Sequence, residues 1–165
     1  MTPGTTQMMA MHLANQLDTV EEVYVSHGAF RPFAFSKSIT ETTTYEYDPN
    51  LKSRVVFEDG KFIQVPPFAR PREIDLPQPY GKTTQYIIPH SETVTLAQAL
   101  KDKGVRLIEV RGTWPKQNMT LVRGLYDYGI LKNPVVKVGD TEKGLMSIIL
   151  SLIHISEPTR LQLIS

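Results

Sequence analysis

Residues 54–65, RVVFEDGKFIQV, constrain the fold of this chain more than any other segment. Asp59-Gly60 supplies the positive backbone dihedrals of a tight two-residue turn, and the flanking runs are rich in β-branched and aromatic residues, so the segment is expected to be an antiparallel hairpin. A two-stranded hairpin is marginal by itself, so it must join a larger sheet. The sequence then turns against strand formation: Pro66, Pro67, Pro71, Pro77 and Pro79 follow within fourteen residues. Proline has no N–H to donate to a ladder, and this stretch is expected to cross the surface as an extended loop.

The other periodic segments alternate between strand and helix. Thr5 or Thr6 can cap a helix carrying Met9, Leu13 and Leu17 through Asp18. Residues 20–27, 82–88 and 105–110 read as strands. Thr95 can cap a helix through Lys101 that Gly104 ends, and Asn118 can cap one carrying Leu121, Val122, Leu125 and Tyr128 up to Gly129. Residues 38–47 are rich in Thr and Tyr, which favours strand, while Glu41 and Glu46 permit a short helix. A last helix is expected from Thr141. Together these predict an α/β (α+β) domain in which helices pack on a mixed β-sheet.

Charge narrows the function classes. The 165 residues carry 18 Lys and Arg against 17 Asp and Glu, a net charge of +1, which gives no basic stripe for nucleic acid or anionic membrane. There is no cysteine, so disulfides, thiol nucleophiles and cysteine metal sites are excluded. The first eighteen residues carry polar residues throughout and lack a basic start, unlike a signal peptide or membrane span, which makes a cytoplasmic setting the default expectation.

No glycine-rich dinucleotide loop, phosphate loop, His-Glu-x-x-His zinc motif or Gly-x-Ser-x-Gly elbow is present, and no metal site is expected. His90, in Pro89-His90-Ser91-Glu92 at a strand end, is the candidate acid–base residue, with Glu92 close enough in sequence to orient the imidazole. The plain alternative is a polar strand-to-helix loop. His12 reads as a surface residue and His27 as a strand-end residue. Arg31 and Arg111 can each hold a carboxylate through a bidentate fork, or simply make a salt bridge. Thr113 follows Arg111 closely enough to join the same substrate contact. Trp114 can wall a pocket, although a lone tryptophan more often packs in a core.

The tail needs separate treatment. LSLIHISEPTR, residues 150–160, back-translates to a string that resembles the mosaic end and adapter of a transposase-based sequencing library. Residues 150–165 are therefore expected to be non-native, and His154 is set aside as a site residue. The alternative is a genuine C-terminal strand or helix, which Leu150, Leu152, Ile153 and Ile155 are apolar enough to form.

From residue 2 to about 149, the order of segments resembles the substrate-binding, catalytic domain of the saccharopine dehydrogenase and lysine 6-dehydrogenase family. The segments that carry the likeness are TPGTTQMMAMHLANQLDTVEEVYVSHGAF, FEDGKFIQVPPFARPREIDLPQPYGK, PHSETVTLAQAL and KGVRLIEVRGTWP. The resemblance implies an NAD(P)-dependent oxidoreductase acting on the CH–NH group of an amino acid or polyamine, with NAD or NADP bound by a nucleotide-binding domain of Rossmann type that residues 1–149 do not include. Met1 is then an internal methionine of a longer frame. The fragment itself is expected to be inactive and to hold no cofactor.

The resemblance further implies that Pro3 and Gly4 lie beside the nicotinamide. His90 is then the proton-handling group, and Arg31, Arg111 and Thr113 contact the amino-acid or imine substrate. It also implies a homodimer built through this domain. The competing expectation is a stand-alone, non-catalytic module for metabolite binding or homodimerisation.

Overall fold

A computed structural model describes residues 4–29 and 37–155. The chain divides into two compact units, one comprising Met1–Gly28 and Lys52–Thr113, the other Ala29–Leu51 and Trp114–Ser165. Both α-helices and a mixed sheet are present, as the alternation of periodic segments predicts. No helix among the described residues is long and apolar enough to cross a membrane.

The first unit is built on a six-stranded sheet whose centre is β6 (Leu107–Thr113). One edge of β6 pairs in parallel with β1 (Glu22–Gly28) along its full length, from Glu22 opposite Leu107 to Gly28 opposite Thr113. The other edge is shared. β2 (Val55–Glu58) pairs antiparallel at Leu107 and Ile108, and β5 (Gly81–Ile87) pairs antiparallel at Arg111 and Gly112. β3 (Lys61–Gln64) flanks β2 through the expected hairpin, with Asp59 at φ 46° and Gly60 at φ 80°.

The proline-rich stretch is not wholly loop. β4 (Arg72–Leu76) pairs antiparallel with β5 at the sheet edge, which corrects the expectation of an unbroken extended crossing. The reason is local: Pro71 and Pro77 bracket REIDL, so all five residues keep their N–H groups, and an edge strand needs only one bonded side.

α1 (Thr5–Ala14) and α3 (Glu92–Ala99) pack on this sheet and on each other. α1 ends at Ala14 rather than Asp18, and its apolar stripe stays open: Met8, Met9, Leu13 and Leu17 are all exposed. α3 begins three residues before the expected Thr95, because Ser91 opens it and the Thr95 hydroxyl bonds back to the Ser91 carbonyl at 3.1 Å. Gly104, at φ 83°, closes the following 3-10 turn in the left-handed conformation that favours glycine. Buried Val56, Ile87, Leu96, Leu100, Ile108 and Val110 form the core.

The second unit contains α2 (Lys37–Tyr45), so the Thr-rich segment left open between strand and helix is helical. It also holds α4 (Lys116–Asp127), the hairpin of β7 (Val135–Val138) and β8 (Thr141–Gly144), and α5 (Leu145–Ile155). β8 occupies the start of the segment expected to be a single helix from Thr141. The turn at Gly139, φ 60°, returns the chain alongside VVKV, and pairing with that strand overrides the helical pattern of TEKG. Residues 150–155, read from sequence as the start of an appended tail, continue α5, with Leu150 buried. Residues 156–165 lie outside the described residues.

Candidate functional site

The candidate site forms where the C-terminal end of β1 meets the segment between β5 and α3. Across the β1–β6 ladder His27 is opposite Gly112. A Cβ at Gly112 would come within 2.7 Å of Ile88, so glycine is what lets residue 88 cross the sheet this closely. Ile88 is tied there by its N–H bond to the Val110 carbonyl, 3.1 Å long. Two residues later His90 lies beside His27, with ring centroids 5.0 Å apart and planes tilted by 34°.

Glu92, in the first turn of α3, completes the group. Its side chain is fully buried, an unusual position for a carboxylate. The Thr6 hydroxyl of α1 donates to Oε1 at 2.7 Å, and Oε2 lies 3.4 Å from His90 Nδ1. Thr6 is thus a tether between helices rather than the helix cap its sequence position suggests. Gln85 of β5 donates its side-chain amide to the His27 carbonyl at 2.9 Å and so holds the strand end.

Electrostatics follow from this packing. Burial by itself would raise the Glu92 carboxyl, but the Thr6 hydroxyl, its own backbone N–H and the two histidines together hold it below its ordinary value. His27 is lowered, first by burial and then by the neighbouring His90, while Glu92 opposes the shift. His27 Nε2 and Glu92 Oε2 are buried without a hydrogen-bond partner.

A pH dependence of stability follows. The unfolded chain protonates His27 near its ordinary value of 6.5, whereas the folded chain resists until lower pH. The unfolded state therefore binds more protons below that value, and stability falls as pH drops. Glu92 acts in the same direction below its ordinary 4.5. Urea midpoints are expected to be higher at about pH 7.5 than at about pH 5.5, with His27→Gln flattening the difference. An identical slope in that variant would assign the dependence to other groups.

The other sequence candidates are placed as follows. Arg111 is almost wholly buried, and its guanidinium donates to Glu109 Oε2 at 2.6 Å and to the Arg70 carbonyl. The salt bridge is present, but it is buried and not the ordinary surface pair that the sequence suggests as the alternative to a substrate contact. Thr113 is buried at the end of β6, its hydroxyl 3.4 Å from that of Thr83. Gly4 caps α1 at φ 117°, and a Cβ there would meet no heavy atom within 4 Å. Pro3 and Arg31 lie outside the described residues.

The structure thus joins His90 to Glu92, as their spacing suggests, and adds His27, Thr6 and Gln85. One nitrogen of each histidine and one Glu92 oxygen lie within 4.8 Å of one another, a donor set that corrects the expectation of no metal-ligating cluster. The only signal was that His27 and His90 both end strands; their adjacency depends on the parallel β1–β6 pairing across some eighty residues of chain. No protein-family model matches this sequence, and no curated protein matches it.

Proposed function

We propose that this chain supplies the substrate-binding part of an NAD(P)-dependent oxidoreductase acting on the CH–NH group of an amino acid or polyamine, of the saccharopine and lysine dehydrogenase type. The observation that carries the reading is the Thr6–Glu92–His90 chain, in which a buried, tethered carboxylate faces an imidazole. Such a pair orients a histidine for proton transfer. Oxidising an amine to an imine removes a hydride from carbon and a proton from nitrogen, and the nicotinamide takes the hydride. His90 takes the proton: with Nδ1 turned to Glu92, Nε2 is the atom left to face the amine.

Gly4, at the N-terminus of α1, is the described residue that would lie beside the nicotinamide on this reading. The Glu109 bond occupies Arg111, so a substrate carboxylate would need another cation as its clamp.

The test uses the chain as it is, in chelator, titrated with saccharopine, lysine and a carboxylated polyamine while the histidine imidazole resonances are followed by NMR. One of these amines is expected to move the His90 signals, and His90→Asn to weaken that amine's binding as followed at His27. Unmoved His90 signals with all three would overturn the proposal.

A further inference from the structure

We propose that His27, His90 and Glu92 form a binding site for a divalent transition-metal ion of the zinc class. Two imidazoles with one carboxylate is a donor set suited to zinc and its neighbours, whereas calcium and magnesium prefer oxygen alone. The donors come from β1 and from the turn into α3, so the sheet supplies one ligand and the His90-Ser91-Glu92 turn supplies two.

Three observations point to an ion. First, His27 Nε2 and Glu92 Oε2 are buried without a hydrogen-bond partner, and such atoms are rare in folded proteins unless something satisfies them. Second, the carboxylate is divided between tasks: Thr6 holds Oε1 at 2.7 Å and leaves Oε2 turned toward the histidines. Hydrogen bonding of this kind orients metal ligands from behind. Third, the geometry is near closure. Tetrahedral zinc with bonds of about 2.0 to 2.2 Å sets its donors about 3.4 Å apart. The present spread of up to 4.8 Å would close as the three side chains turn onto the ion. His90 is 21% exposed, against none for Glu92, and gives the ion a way in. Three protein ligands leave a fourth position for water or an anion.

The ion and an amine substrate would compete for His90, but the site is tested without either substrate or nucleotide. Metal-free chain is titrated with Zn2+ by calorimetry and with Co2+ by visible absorption. One ion per chain is expected, with the intense d–d bands of a four- or five-coordinate Co2+. Glu92→Gln and His27→Ala are each expected to weaken binding roughly hundredfold or more, and Thr6→Val by about tenfold. His12→Ala, on the exposed face of α1, serves as the control and is expected to change nothing.

His90→Asn covers the case in which a buried variant fails to fold, because its side chain is partly exposed; it too is expected to abolish the Co2+ bands. Absence of binding, or binding that survives His90→Asn and Glu92→Gln in folded chains, would overturn the proposal. A chain that binds Zn2+ but none of the amines would sink only the oxidoreductase reading. The converse result would sink only the metal site.

Discussion

Glu109→Met is expected to cost the first unit about 3 to 5 kcal/mol, the largest loss from any single change to its charged groups. Glu109 and Arg111 are both 5% exposed and lie on the same face of β6, two residues apart. Glu109 also accepts from Arg70 Nη1 at 3.0 Å, while Arg70 reaches Glu58 at 2.7 Å. Losing Glu109 strands the Arg111 cation in the interior with only the Arg70 carbonyl for company. The converse change, Arg111→Met, leaves Glu109 still paired with the half-exposed Arg70, so a smaller loss of roughly 2 to 3 kcal/mol is expected.

Combining the two replacements removes both charges together, and buried ion pairs replaced by apolar residues of similar size are often neutral. The double variant is therefore expected to lie closer to the parent than Glu109→Met does. Urea unfolding followed by far-ultraviolet circular dichroism, arranged as a double-mutant cycle, reads all four species. Single losses under about 1 kcal/mol would show that Arg111 is not committed to Glu109. Arg111 would then return as a candidate for a substrate carboxylate.

The success of sequence reasoning tracks the range of the interactions involved. The Asp59-Gly60 hairpin was legible because its turn chemistry is complete within two residues, and the helix ends at Gly104 and Gly129 because left-handed glycine is a local requirement. β4 was missed because counting prolines hides the five-residue window between Pro71 and Pro77. β8 was missed because TEKG becomes a strand only when VVKV is alongside to pair with it. At the site, His90 and Glu92 are two residues apart and could be found together. His27, Thr6 and Gln85 could not, since three separate elements bring them in. The sequence allowed either of two fates for Arg111, and only the position of Glu109 on the same strand face decides between them.

The second unit offers its own test, because Trp114 is the sole tryptophan and belongs to that unit. Trp114 is buried, and the fully buried ring of Tyr47 meets it edge-on, with centroids 5.1 Å apart and planes at 68°. The Tyr47 hydroxyl also reaches the Met119 sulfur on α4 at 3.9 Å, a weak bond at most. Ring burial and the aromatic pair are the contributions that removal of the ring tests. Tyr47→Ala is expected to cost about 3 to 5 kcal/mol, shift Trp114 emission to the red and lower the urea midpoint that this fluorescence reads. Tyr47→Phe keeps the ring and is expected to cost less than Tyr47→Ala. Of the two roles open to a lone tryptophan, this geometry is that of a core residue. Emission and midpoint unchanged by Tyr47→Ala would mean that the Tyr47 ring does not hold Trp114, and the indole would again be available as the wall of a pocket.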